Sequence, residues 1–175
     1  MNSNKTSLQT KMHMDFFDRT ELAINSGFYL EAIFREYAAI EGRLEVILGL
    51  LGLPCNNKAP DKDRRDIQLS HRINCLKIIY KSSSSIGSSK IDPSFFTQLD
   101  KWRNDRNIIV HGYYKNELKY HARSSNNKLM ATDGLVFARK LYNEVKRLRR
   151  YKLSHPEIDI TADSRCYSEK CSMKQ

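Results

Sequence analysis

The sequence predicts an all-α protein, an antiparallel bundle of four to five helices. Three observations lead there. Apolar residues recur at alternating steps of three and four along four long stretches, the spacing of a helix face buried in a bundle. No alternation of short apolar strands with helices suggests a βαβ unit. The 175 residues, 40% hydrophobic and 29% charged, make one ordinary domain with enough apolar surface for a shared core.

The elements follow in order. Residues 1–13 are polar, carry no apolar secretion signal and read as a flexible N-terminus. A short helix is expected around Met14 to Ile24, with Gly27 as the break. The next stripe reads Leu30, Ile33, Tyr37, Ile40, Leu44, Ile47 and Leu51, and Gly52 and Pro54 end that helix. Leu69, Ile73, Leu76 and Tyr80 mark a third, followed by a serine-rich polar loop to Lys90. Asp92 is a good N-cap and Pro93 suits a first turn. The helix they open has the stripe Phe95, Leu99, Trp102, Arg106 and Ile109, and Gly112 offers a stop. A short insertion follows from Tyr113 to Arg123, a hairpin or an irregular loop, with a polar break at Ser124 to Lys128. The last helix is expected from about Leu135 to Tyr151, with Leu135, Ala138, Leu141, Val145 and Leu148 inward. The helical domain thus covers residues 14–152, and residues 153–175 read as a mobile polar tail.

The net charge of +10 is unevenly placed. Residues 1–60 hold six Lys/Arg against seven Asp/Glu, whereas residues 111–175 hold fourteen against seven. That asymmetry points to a polyanionic partner, drawn by phosphate attraction and counterion release. The longest apolar run, Val46 to Leu53, is far shorter than the roughly 20 residues a bilayer span needs. No membrane span is therefore expected, and the cytoplasm is the expected compartment. The four cysteines read as reduced thiols: Cys166 and Cys171 lack the closer spacing and further ligands of a zinc site. No metal and no cofactor are expected. Gly49 and Gly52 lack the Lys-Ser/Thr of a phosphate loop, and no nucleophile elbow appears, which weighs against kinases and serine hydrolases.

One segment carries chemistry. Arg106 lies on an apolar stripe, where an unpaired guanidinium would be costly, so it needs an anionic partner, a neighbouring subunit or a cleft. Asn107 and His111 are four apart and share a helix face. His111 stands at the expected helix C-terminus, where the dipole favours its protonated form and brings it toward an acid–base role. Arg, Asn and His at one helix end suit phosphate handling: arginine stabilises developing charge and histidine moves protons. The plainer alternatives are a C-terminal cap for His111 and a buried carboxylate for Arg106. Arg103 either touches phosphate or pairs with Asp100 or Asn107, and Trp102 either stacks on a base or packs in the core. Lys115, Lys119 and Arg123, interleaved with Tyr113, Tyr114 and Tyr120, suit single-stranded RNA or strand packing equally. Arg147, Arg149 and Arg150 either lie along an RNA path or solvate the last helix.

Arg106, four residues, His111, one residue and Tyr113 together resemble the R-x4-H-x-Y form of the R-x4–6-H signature of HEPN domains. Asn107 directly after the arginine, and Ile108, Ile109 and Val110 between, are similar too. The variant is most similar to HepT-type toxins. The resemblance implies a helical bundle acting as a metal-independent endoribonuclease, a toxin or phage-defence effector. It implies a homodimer whose motifs meet in a composite cleft, where the RNA 2′-hydroxyl attacks the adjacent phosphate and leaves a 2′,3′-cyclic phosphate. His111 is then the general acid/base, Arg106 orients the phosphate, and Asn107 holds the site by hydrogen bonding; Arg103, a supporting candidate one turn earlier, falls outside the family spacing. It also implies a nucleotidyltransferase-type antitoxin that adenylylates Tyr113, or the adjacent Tyr114. Another HEPN branch, such as an abortive-infection effector, keeps Arg106 and His111 and loses that pairing. The rival reading is a non-catalytic helical adaptor that binds RNA, a nucleotide or a protein.

Overall fold

The computed structural model describes residues 3–52, 64–82, 91–115 and 124–155, with side chains placed for 14–52, 69–81, 91–112 and 125–155. Among the described residues there are five helices and no strand. They are α1 (Ser3–Asn25), α2 (Tyr29–Leu50), α3 (Arg64–Ser82), α4 (Pro93–Lys115) and α5 (Ser124–Ser154).

Local signals set several boundaries. Between α1 and α2, Gly27 takes φ 82, while Phe28 N–H donates to Ala23 O and Gly27 N–H to Ile24 O. This is a Schellman turn, and glycine meets its left-handed φ without the Cβ clash. Gly52 closes α2 in the same way at φ 71; Pro54 lies outside the described residues. Asp92 caps α4 as expected, its Oδ1 accepting from Ser94 N–H at 2.7 Å. Hydrogen bonding from the Ser94 side chain first, and then this backbone bond, holds the Asp92 carboxyl below the usual carboxylate range.

The core is the sum of the expected stripes. Ile33, Ile40, Leu44 and Ile47 of α2 are fully buried, with Leu69 and Leu76 of α3, Leu99 of α4 and Leu141 of α5. The α2–α5 interface is the most extensive. Phe17 meets Tyr142 edge-on at 5.6 Å while Glu21 pairs with Arg139, so α1 and α5 are antiparallel. Trp102 donates to Met130 O at 2.9 Å and Phe95 packs on Phe137, so α4 and α5 are antiparallel too. Between α2 and α5, by contrast, Glu36 faces Gly134 and Arg43 faces Tyr142, so these two run in the same sense.

Three boundaries differ from expectation. The first helix begins at Ser3, well before Met14. Helix α4 passes through Gly112 to Lys115. A glycine stops a helix only where the chain turns left-handed, and inside a helix it costs only about 1 kcal/mol relative to alanine. Helix α5 begins at Ser124, where a polar break was expected, eleven residues before Leu135. Its buried face runs Asn127, Ala131, Gly134, Ala138, Leu141, Val145 and Leu148. The steps alternate four and three throughout, but the first residues are small or polar and give hydropathy no signal. The expected insertion therefore reduces to residues 116–123, which lie outside the described residues, as does the tail from residue 156.

Candidate functional site

Helix α4 presents Arg106 to α2, at the position its stripe requires. Its guanidinium carbon lies 4.1 Å from the Tyr37 ring centroid and 5.3 Å from that of Phe34. Tyr37 and Phe34 are three apart on α2, so one helix face supplies both rings. A cation–π contact of this kind contributes about 0.5–2 kcal/mol. Nη1 donates to Asn107 Oδ1 at 3.0 Å, and Nε is buried without a hydrogen-bond partner among the described residues. Phe34 is 41% exposed, so the clamp opens at the surface. The result is a half-buried cation, placed over two aromatic rings and not paired with any carboxylate among the described residues.

His111 is exposed. It lies one turn before the end of α4, not at its last residue, because the helix continues to Lys115. It is five positions on from Arg106, about 140° around the helix and about 7.5 Å along it. One chain therefore turns Arg106 toward α2 and His111 toward solvent, and does not bring them together.

The other expected residues separate into three groups. Arg103 is mostly buried and committed within its own helix: Nε donates to Asp100 at 2.9 Å and Nη2 to Asn104 at 2.8 Å. The Asp100 pair is the one expected; the asparagine is Asn104, not Asn107. Trp102, 4% exposed, is a core residue. Arg147 is also committed, with Nε and Nη2 both donating to the Glu144 carboxylate, which accepts from Tyr80 as well. Burial first, and then Glu144, pushes the Tyr80 phenol far up, while the bond to Glu144 raises Arg147. Arg149 and Arg150 stand exposed. Tyr113 and Lys115 belong to the last turn of α4, but their side chains lie outside the described residues, as do Lys119 and Arg123 entirely.

Packing adds residues that sequence reasoning missed. Phe34 and Tyr37 clamp Arg106; their three-residue spacing was visible, but their partner on α4 was not. Arg43 of α2 lies 5.5 Å from the Tyr142 ring, whose centroid is also 5.3 Å from Lys146 Nζ. Burial lowers the Arg43 pKa; Tyr142 raises it, and Arg149 lowers it further. Arg43, Lys146 and Arg149 thus form one basic surface, with Arg43 about 9 Å along α2 from Tyr37. Among the described residues no group of three or more His, Cys, Asp or Glu lies together as a metal site would need. No helix among them is long and apolar enough to cross a membrane. Comparisons with protein-family models, with curated proteins and with solved structures give no match to this chain.

Proposed function

We propose that the chain is a metal-independent endoribonuclease of the HEPN type, acting as a homodimer, with Arg106 and His111 as its catalytic residues. The observation that supports this best is the Arg106 guanidinium, set against the Tyr37 and Phe34 rings without a carboxylate partner among the described residues. A cation fixed this way is prepared for phosphate, whose planar oxygen pairs match its fork. One chain turns Arg106 and His111 to different sides, so a cleft that uses both takes a second copy.

In such a cleft His111 accepts the proton of the RNA 2′-hydroxyl. The 2′-oxygen attacks the adjacent phosphorus, and the bond to the 5′-oxygen breaks. Protonation of that oxygen by the other copy's imidazolium leaves a 5′-hydroxyl and a 2′,3′-cyclic phosphate. Arg106 balances the charge on the phosphoryl oxygens, and Asn107 holds the guanidinium through Nη1. The basic surface of Arg43, Lys146 and Arg149 attracts the rest of the strand. A role as toxin or defence effector, with an antitoxin acting on Tyr113, belongs to the same reading.

The test is RNA cleavage in EDTA by the wild type, His111→Ala and Arg106→Ala, each checked for helical content. Wild type alone should cleave, giving 2′,3′-cyclic ends, and each variant should lose at least about 10²-fold, the scale of removing one transition-state donor. Cleavage that persists in His111→Ala would sink the role given to that residue. A strictly monomeric chain at micromolar concentration would remove the composite cleft.

A further inference from the structure

The outward side of α5 is cationic from Val136 to the helix end. Arg139, Lys140, Lys146, Arg149, Arg150 and Lys152 stand exposed there, and the one acid of that stretch, Glu144, is buried. Arg139 pairs with Glu21 of α1. The other five pair with no carboxylate among the described residues. Like charges one turn apart on a helix, such as Lys146 and Arg150, destabilise it. This face therefore lacks a counter-charge.

The chain carries one directly after the helix. Helix bonding reaches His155, whose N–H donates to Tyr151 O at 3.0 Å. Pro156 follows, with no N–H to extend the ladder. Glu157-Ile158-Asp159-Ile160-Thr161-Ala162-Asp163 then holds three acids and no base, and lies outside the described residues. Its acids fall at odd positions and its apolar residues at even ones, so extended backbone sorts them to opposite sides. The lengths match as well. Seven extended residues span about 23 Å, and α5 measures about 21 Å from Ser154 back to Lys140. Running back along the helix, Glu157 comes level with Arg150 and Lys152, Asp159 with Lys146, and Asp163 with Lys140. Leu153, 82% exposed at the helix end, offers Ile158 and Ile160 apolar surface. The tether favours this occupant over a separate acidic partner, because a short flexible link holds its end at about millimolar effective concentration.

We propose that Glu157–Asp163 folds back on its own α5 and lies along this cationic face as an acidic strap. The seating does not depend on the cleavage chemistry. Its consequence rests on the nuclease reading: RNA drawn to the basic surface must first displace the strap, which holds the enzyme back until a polyanion competes.

Carbodiimide coupling, which joins a carboxylate to a lysine in contact with it, tests the seating. Isotope-labelled and unlabelled full-length chains are mixed, coupled and mapped by peptide mass. Amides from Asp159 or Asp163 to Lys146 or Lys140 are expected within single chains. They should vanish in about 1 M salt, where the Debye length is about 3 Å. Amides confined to the neighbouring Lys152, spread evenly over lysines elsewhere, formed between labelled and unlabelled copies, or absent altogether overturn the strap. As a second readout, Glu157→Gln/Asp159→Asn/Asp163→Asn in the full chain should bind inorganic polyphosphate at least about threefold tighter at low salt. Asp18→Asn/Glu31→Gln/Asp133→Asn makes the same change of net charge at exposed sites elsewhere and should gain less. Equal gains overturn the strap. Neither readout uses RNA cleavage. A chain that shows the strap and cuts nothing loses the nuclease reading alone, and a nuclease without these amides loses the strap alone.

Discussion

Glu36 is wholly buried between α2 and α5, and both of its carboxyl oxygens lack a hydrogen-bond partner among the described residues. Burial pushes its pKa up to about 9 from 4.5. The group is therefore neutral at physiological pH, the form that is less costly to bury. The sign of the pH effect follows. Below about 4.5 both folded and unfolded chains hold the proton; above it the unfolded chain releases it, while the folded chain keeps it until about 9. Stability from this group is greatest at low pH and falls across that window by up to about 1.4 kcal/mol per pH unit. Glu36→Gln keeps the volume and removes the titration. Its melting temperature should vary less with pH between about 5 and 9, and a profile parallel to the wild type would place the titration elsewhere. Arg106 answers the same problem of a charge in an apolar stripe differently, with aromatic faces in place of neutralisation.

Helix α5 shows what one small residue does for a whole element. A Cβ on Gly134 would collide with the Glu36 carboxyl and lie 2.7 Å from the Trp102 ring. The glycine thus lets α2, α4 and α5 approach around Glu36. Helix propensity alone would favour alanine there by about 1 kcal/mol. Overpacking costs about 1–3 kcal/mol and outweighs it. Gly134→Ala should accordingly lower the melting temperature, by several degrees at a net cost of up to about 2 kcal/mol. A rise would show that α5 shifts freely, contrary to its close packing. The same packing explains why the start of α5 was hard to read. Asn127, Ala131 and Gly134 keep the bundle period, but hydropathy registers apolar size and these residues have little.

Across the whole molecule, the surplus of positive charge divides by function. Arg147 serves the fold: Glu144 is 3% exposed and depends on it, so Arg147→Ala should destabilise the chain by roughly 3 kcal/mol in a denaturant melt. Arg149 and Arg150 are exposed on the basic surface. Replacing both with alanine should leave the melt nearly unchanged. On the proposed nuclease reading it should also reduce the slope of log K for RNA against log salt by about 0.7–0.9 for each phosphate no longer neutralised. An unchanged slope would move the RNA path off this face.

The sequence by itself determined the helices, the inward stripes of α2, α3 and α4, the Asp92 cap and the Gly27 and Gly52 turns. Each depends on residues within a turn or two of one another, and short-range geometry repeats reliably there. It also singled out Arg106, because a charge in an apolar period contradicts its neighbours. Only the tertiary structure decided what answers that charge. Tyr37 and Phe34 are about seventy residues away in the chain, and nothing in the α4 stripe names them. The same holds for Glu36 against Gly134 and for Arg43 beside Tyr142. In each case the surroundings of a polar group are supplied only by the packing of separate helices, and burial, which sets its cost and its chemistry, exists only once those helices have met.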